Sequence, residues 1–340
     1  MPRKGNLLRI LYIHNLNQTA RTFGQNLARR GHTVTIYEPS LKGGSAPLPL
    51  KLAMLPGRIL DMRRVIGSLN AGSSDIVHIH WASYGVLGLA SRVPFVVHCH
   101  GSDVRYRLKQ PFFHSALTFI LRRAALVLCS TPDLLPVIRT VRPDAVFFPG
   151  PVDTERFAPC ADNHAQARPW TILLFARLDL IKGCESAVQG IARFAARHPE
   201  VRVKLLDWGT ETEKYRQRYG ERFEFVPLVA PELVQHLICS ADVVVGQVFL
   251  GALGLAELQA MSCARPVIAS FRYEGAYPLP PPVCQAATAQ DVDQHLEYLF
   301  QHSEAAAALG QRARRWVSDY HSHQDVARKL ETLYESILSR

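Results

Sequence analysis

Arg177 and Lys182 stand with four residues between them in the segment RLDLIKG, with Gly183 directly behind and an apolar helical pattern beginning at Cys184. Two cations on a turn ahead of a helix start suit a diphosphate, because the side-chain charges and the unpaired N–H groups of the helix all favour an anion there. A second candidate lies in ADVVVGQVFLGALGLAELQAMSCARPVIAS, residues 241–270, where a loop carrying Gly251 and Gly254 separates two β-branched runs. Glycines admit close approach of a ligand to the backbone, and the helix start at Gly254 and Leu255 offers N–H groups to an anion. In the amino half, His100 and Asp103 occur in VVHCHGSDVR, and the loop HNLNQTART offers Asn15, Asn17 and Thr19 to a phosphate. His78, His80, His98 and His100 form two His-x-His pairs; residues two apart on a strand share a face, so the four imidazoles gather. A zinc site of this kind ordinarily adds a carboxylate or cysteine ligand and its own spacing. Neither is present here, and no metal is expected.

These residues need scaffolds. The apolar periodicity predicts strands over residues 8–13, 33–37, 75–80, 94–100, 125–130 and 145–148, then 170–176, 201–206, 223–226, 241–246 and 265–269. Helical patterns alternate with them, including 23–30, 112–123, 184–197 and three at the end over 290–300, 304–320 and 324–338. Strands alternating with helices imply parallel α/β sheets, in which ligands bind at the carboxyl ends of the strands. Both cation-bearing and glycine-bearing loops fall at such ends. KLAMLPGRILDMRRVI aligns Leu52, Leu55, Ile59 and Met62 with Arg58, Arg63 and Arg64 around them; a helix covering the sheet is the expected use, with an anionic lipid surface as the alternative.

A chain of 340 residues that is 48% hydrophobic accommodates two filled domains and is not disordered. Residues 1–160 hold 20 Lys and Arg against 8 Asp and Glu, so the amino half carries the whole of the +10 net charge. That asymmetry admits an acidic partner or an anionic membrane surface, beside a merely solvated basic face. No aromatic-interleaved basic stretch supports nucleic-acid binding. The seven cysteines are scattered with no C-x-x-C pair and read as reduced thiols of a cytoplasmic protein. No apolar run reaches the ~20 residues that span a bilayer, and the amino terminus reads as a first strand instead of a signal peptide. A membrane contact would be peripheral, at the inner membrane face.

LQAMSCARPVIAS resembles the donor-binding segment of retaining glycosyltransferases of the GT-B fold, family 4 (glycosyl transferases group 1), ordinarily L-E-A-M-A-x-G-x-P-V-I. RLDLIKG resembles the family's G-R-L-x-x-x-K-G, HGSD its H-G-x-D turn, PGPVDTERF its hinge phrase P-N-x-V-D-x-x-x-F, and LARRGHTVTIY its first repeat. The resemblance implies two Rossmann-like domains facing across a cleft: an acceptor domain over 1–160, a nucleotide-sugar donor domain over 168–315, and residues 316–340 packing back on the first. By the same resemblance Arg177 and Lys182 hold the donor diphosphate, Gly254 is the loop glycine, and Leu255 and Gln259 complete the donor site. Asn17 sits where paired glycines are usual. His100 points beside the donor sugar and is catalytic together with Asp103, which begins the next element, while Gly101 makes the turn. The family's two glutamates, seven residues between them, fall on Gly251 and Gln259, so both carboxylates are absent. The implied activity is metal-independent, retaining transfer of a sugar from a nucleoside diphosphate donor to a glycan, lipid-linked saccharide or small molecule, with no cofactor. The alternative is a catalytically degenerate homologue that binds a nucleotide or a partner.

Overall fold

The computed structural model describes residues 7–39, 50, 53–70, 72–160 and 168–339. They form two units: residues up to Pro151 together with those from His323 onward, and Val152–Ser322.

The first unit is built on six parallel strands, β1 (Arg9–Ile13), β2 (Thr33–Tyr37), β3 (Ile76–His80), β4 (Phe95–Cys99), β5 (Leu126–Cys129) and β6 (Val146–Phe147), in the order β2-β1-β3-β4-β5-β6. β3 and β4 are buried at every position, as a strand covered on both faces requires. Helix α1 (Thr19–Arg29) buries Ala20, Phe23, Gly24 and Leu27, the i, i+3, i+4, i+7 stripe of a helix lying on a sheet. The arginine-flanked helix α2 (Leu55–Asn70) divides along its length: Val65 and Leu69 enter the core while Ile59 and Leu60 stay exposed. The sheet-covering expectation holds for its second half, and Leu52 lies outside the described residues. The last helix, α3 (His323–Leu338), places Val326, Leu330, Tyr334 and Ile337 against Tyr12, Phe23 and Leu27. Each such fully buried side chain contributes on the order of 2 kcal/mol.

The second unit repeats the plan with β7 (Thr171–Leu174), β8 (Arg202–Leu206), β9 (Glu224–Val226), β10 (Val243–Val245), β11 (Val267–Ala269) and β12 (Cys284–Gln285) in the order β12-β11-β10-β7-β8-β9, all parallel. Helix α4 (Cys184–Arg197) buries Cys184, Ala187, Val188, Ile191, Phe194 and Ala195 along one stripe. Trp316 belongs to this unit's core, on helix α5 (Ser303–His321), and the chain leaves the unit at Ser322.

One expectation fails in this unit. Cys160 and Cys239 are joined in a disulfide, with Cα atoms 5.4 Å apart, where the scattered cysteines implied reduced thiols. The two are 79 residues apart in sequence, so no local spacing announced the pair; the hydrogen bond of Cys160 N–H to the Cys263 carbonyl and the end of the helix Val234–Cys239 bring them together.

Candidate functional site

In the second sheet the strand order reverses between β7 and β10, and a crevice for ligands lies outside the carboxyl ends of strands at such a reversal. The two loops that follow these strands are RLDLIKG and the stretch from Gly246 to Gly254. They are tied to each other: the Val248 N–H donates to the Lys182 carbonyl at 3.1 Å, and Lys182 Nζ donates to Gln247 Oε1 at 2.8 Å. Gly183 adopts φ +74°, and a Cβ there would come within 2.7 Å of Val248 Cγ2 and 3.0 Å of the Phe249 nitrogen. Only glycine fits so close beneath the facing loop. Arg177 pairs with Asp179 and lies with its guanidinium 5.4 Å from the Trp208 ring centroid. Asp179 is nearly buried and also accepts from the Thr210 N–H at 2.8 Å.

The helix Leu255–Ser262 is prepared by a residue of its own first turn. Glu257 is buried, and its carboxylate accepts from the Gly254 N–H at 2.9 Å and the Gln247 N–H at 2.8 Å. It therefore closes the helix start and holds the residue that bonds Lys182. The signal was present as an acidic third helical position, the N3 half of a capping box. Gly254 lies at the helix cap, Leu255 begins the first turn, and Gln259, half-buried, follows one turn on. Arg272 was also missed: its N–H donates to the Gly251 carbonyl at 2.9 Å, and its guanidinium would meet a Cβ at Gly251 at 3.1 Å. At Gly251, where the family pattern carries a carboxylate, a third cation stands instead, the Arg272 guanidinium. The structure thus gathers Lys182, Gly254, Leu255 and the Arg272 guanidinium around paired loops, with Arg177 on the same loop as Lys182.

In the first unit the reversal falls between β1 and β3. Four of the five non-glycine residues with positive φ among those described lie in the loops after these two strands: His14 (72°), Asn17 (49°), Gln18 (63°) and Trp81 (90°). Asn17 is exposed, and its backbone takes up the left-handed form for which glycine is usual. Such strain is held by surrounding structure and collects at functional sites. Gln18→Gly is expected to leave the protein as stable or up to ~1 kcal/mol more stable, since Gln18 caps α1 and glycine is accepted at a helix cap. Urea denaturation checks this; destabilisation by more than ~1 kcal/mol would show that the strain is absent.

After β4, Gly101 turns the chain with φ +129°. Asp103 is wholly buried, and its carboxylate accepts from the N–H groups of Ala82 (2.9 Å), Gly101 (2.8 Å) and His100 (3.1 Å). Burial raises its pKa while those N–H groups lower it. Asp103 is thus a positioning residue that fixes the turn, where the sequence assigned it a catalytic part. His100 remains partly accessible, with Nε2 2.8 Å from Nδ1 of the buried His80. Burial holds the His100 imidazole down to about 3, with His14 a lesser cause, so it is neutral. His78, His80 and His98 each offer a nitrogen within 4.8 Å of the others. Two of the three ring pairs are stacked, His78 on His80 at 18° and His80 on His98 at 27°, and the third, His78 with His98, is tilted at 44°.

Comparison with known proteins bears on both units. Residues 16–156 match the family model described as Glycosyltransferase Family 4, and residues 169–280 that of Glycosyl transferases group 1. No curated protein sequence matches the chain significantly. Among solved structures, Anabaena HepE in complex with UDP and glucose superposes with a TM-score of 0.73 at 15% identity over 97% of this chain and 100% of that one. Sucrose-phosphate synthase from Thermosynechococcus elongatus gives 0.75 at 18% identity over 98% and 99%. The catalytic domain of starch synthase IV from Arabidopsis thaliana, bound to ADP and acarbose, gives 0.66 at 15% identity over 98% and 100%. The fold is that of two Rossmann-like domains of GT-B glycosyltransferases.

Proposed function

We propose that this chain, which carries two glycosyltransferase-type domains in a GT-B fold, transfers a sugar from a nucleoside diphosphate to an acceptor bound by its first unit. The observation that carries this reading is the junction of the two loops at the strand-order reversal of the second sheet, where Lys182 is fixed beside the helix start at Gly254. In this scheme Arg177 and Lys182 take the charge of the departing diphosphate together with the first N–H groups of the helix Leu255–Ser262, fixed charges that need no reorganisation during reaction. The scheme requires neither a metal nor a cofactor. Retention follows if the departing phosphate itself takes the acceptor proton, which also removes the need for a carboxylate at Gly251 or Gln259. Gln259 accepts a hydrogen bond from a ribose hydroxyl through its amide oxygen. His100 serves the transferred sugar, and Asn17 meets a phosphate of the donor.

For the acceptor, the reading favours a lipid-linked saccharide at an anionic inner membrane face. Support comes from the helix Pro111–Arg123, which leaves Phe112 86% and Phe119 57% exposed and ends in Arg122 and Arg123. Apolar side chains beside cations suit an interfacial position, and among the described residues no helix is long and apolar enough to cross a membrane.

The second reading, a homologue that binds without catalysing, rests on Gly251 and on Arg272 standing against it. His100→Ala tests the first reading. The proposal expects turnover to fall by at least about a hundredfold, the usual worth of a well-placed polar group, with nucleoside diphosphate affinity unchanged within about twofold. Steady-state kinetics and calorimetry on one preparation, with circular dichroism to verify folding, make the check. Unchanged turnover removes His100 from the site.

A further inference from the structure

The four histidines of β3 and β4 make their hydrogen bonds between strands while their rings stack along each strand. His78 Nε2 lies 3.3 Å from His98 Nδ1, and His80 Nδ1 lies 2.8 Å from His100 Nε2. His78 Nδ1 is 2.5 Å from the Tyr334 hydroxyl, which is 3.1 Å from that of Tyr12. His78, His80 and His98 are wholly buried, and the Nε2 atoms of His80 and His98 have no hydrogen-bond partner.

A neutral imidazole carries one N–H and one lone pair, so each unpartnered nitrogen must bury one or the other. Orphaned N–H groups are the rarer and costlier kind in protein interiors. Both Nε2 atoms are therefore assigned as bare lone pairs, which puts the protons of His80 and His98 on Nδ1. The rest follows without a free choice. His98 Nδ1–H donates to His78 Nε2, so His78 carries its proton on Nδ1 and donates to the Tyr334 oxygen. His80 Nδ1–H donates to His100 Nε2, so a neutral His100 must also carry its proton on Nδ1.

We infer that His80 is a positioning residue that fixes the tautomer of His100, so that the protein presents to its substrate an Nδ1–H donor suited to a sugar hydroxyl or ring oxygen. This rests on the reading of His100 as a residue that serves the sugar. It adds what that reading leaves open, namely which nitrogen carries the proton and what holds it there.

The test pairs nitrogen NMR of histidine-labelled protein with two variants. His100 signals are assigned by comparison with His100→Gln. The wild type is expected to show His80 and His100 neutral with the proton on Nδ1. His80→Asn keeps a donor, because the side-chain amide nitrogen takes the place of Nδ1, and His80→Leu removes it. His80→Leu is expected to lower turnover by about a hundredfold while nucleoside diphosphate affinity stays within about twofold, the pattern of a lost orienting contact, not of lost binding. His80→Asn is expected to recover most of that loss. His100 protonated on Nε2 in the wild type overturns the inference, as does equal turnover in the two variants. So does a metal ion retained by the purified protein at one equivalent and lost on His80 substitution. Where His80→Leu fails to fold, the wild-type tautomer and the His80→Asn kinetics still decide. If the protein transfers no sugar, the proposed function fails by itself, and the wild-type tautomer still reports on His80.

Discussion

Between pH 7 and pH 5 the protein is expected to lose at least about 4 kcal/mol of folding stability, a large part of what an ordinary domain has. The cause is the histidine cluster under the first sheet's carboxyl edge. Burial holds His78 and His100 down to about 3 and His80 and His98 well below the ordinary histidine value, with the neighbouring imidazoles adding to the effect. All four are thus neutral in the folded state and protonated in the unfolded chain once the pH falls below about 6.5. For a base whose folded pKa is depressed, the unfolded state binds more protons between the two values, so stability is complete above about 6.5 and falls toward about 3. Each of His78 and His100 contributes a slope of about 1.4 kcal/mol per pH unit in that window, so the two give about 4 kcal/mol over the interval, and His80 and His98 act in the same direction. The carboxylates whose values are lowered, Asp75, Asp291 and Glu297, act below about 4 and leave the window clear. Asp103, raised by burial, has the opposite sign. Circular dichroism against pH, with calorimetric counting of protons taken up on unfolding, checks this. A native signal retained to pH 4 would show that the four imidazoles are solvated or already charged.

The second large effect is on ligand binding. Arg177→Ala combined with Lys182→Ala is expected to weaken nucleoside diphosphate binding by at least about a hundredfold, because hydrogen bonds to charged groups are worth roughly 1.5–3 kcal/mol each. Folding should change by less than about 1 kcal/mol. Arg177 is two-fifths exposed, Asp179 retains its bonds from Thr210, and Gln247 retains the Glu257 contact that fixes its backbone. Isothermal titration with a nucleoside diphosphate, alongside urea denaturation, separates the two quantities. Unchanged affinity would remove the diphosphate from these loops.

The architecture was legible because its signals are local. β-Branched runs at β3, β4 and β10 and the stripe of Cys184–Arg197 gave the elements within a few residues of their observed ends. The cationic loop was legible for the same reason, since Arg177, Lys182 and Gly183 are sequence neighbours. What remained hidden depends on contacts between distant segments. Cys160 meets Cys239 only when the fold closes, and Arg272 reaches Gly251 from beyond the following strand. Asp103 was read from its place in HGSD as a catalytic group, yet its three backbone donors come partly from Ala82 on another loop. Gln18 shows a further limit: asparagine tolerates the left-handed backbone found at Asn17, but glutamine does not favour it, and the surrounding loop imposes it.

Release of nucleoside diphosphate from a panel of nucleotide sugars, measured with and without a chelator and with lipid-linked and soluble saccharide acceptors, tests the proposed transfer most directly. The account predicts release from at least one donor, dependent on an acceptor and undiminished by the chelator. Binding of the nucleoside diphosphate with no release from any donor would contradict it and leave a protein that holds the nucleotide without transferring the sugar.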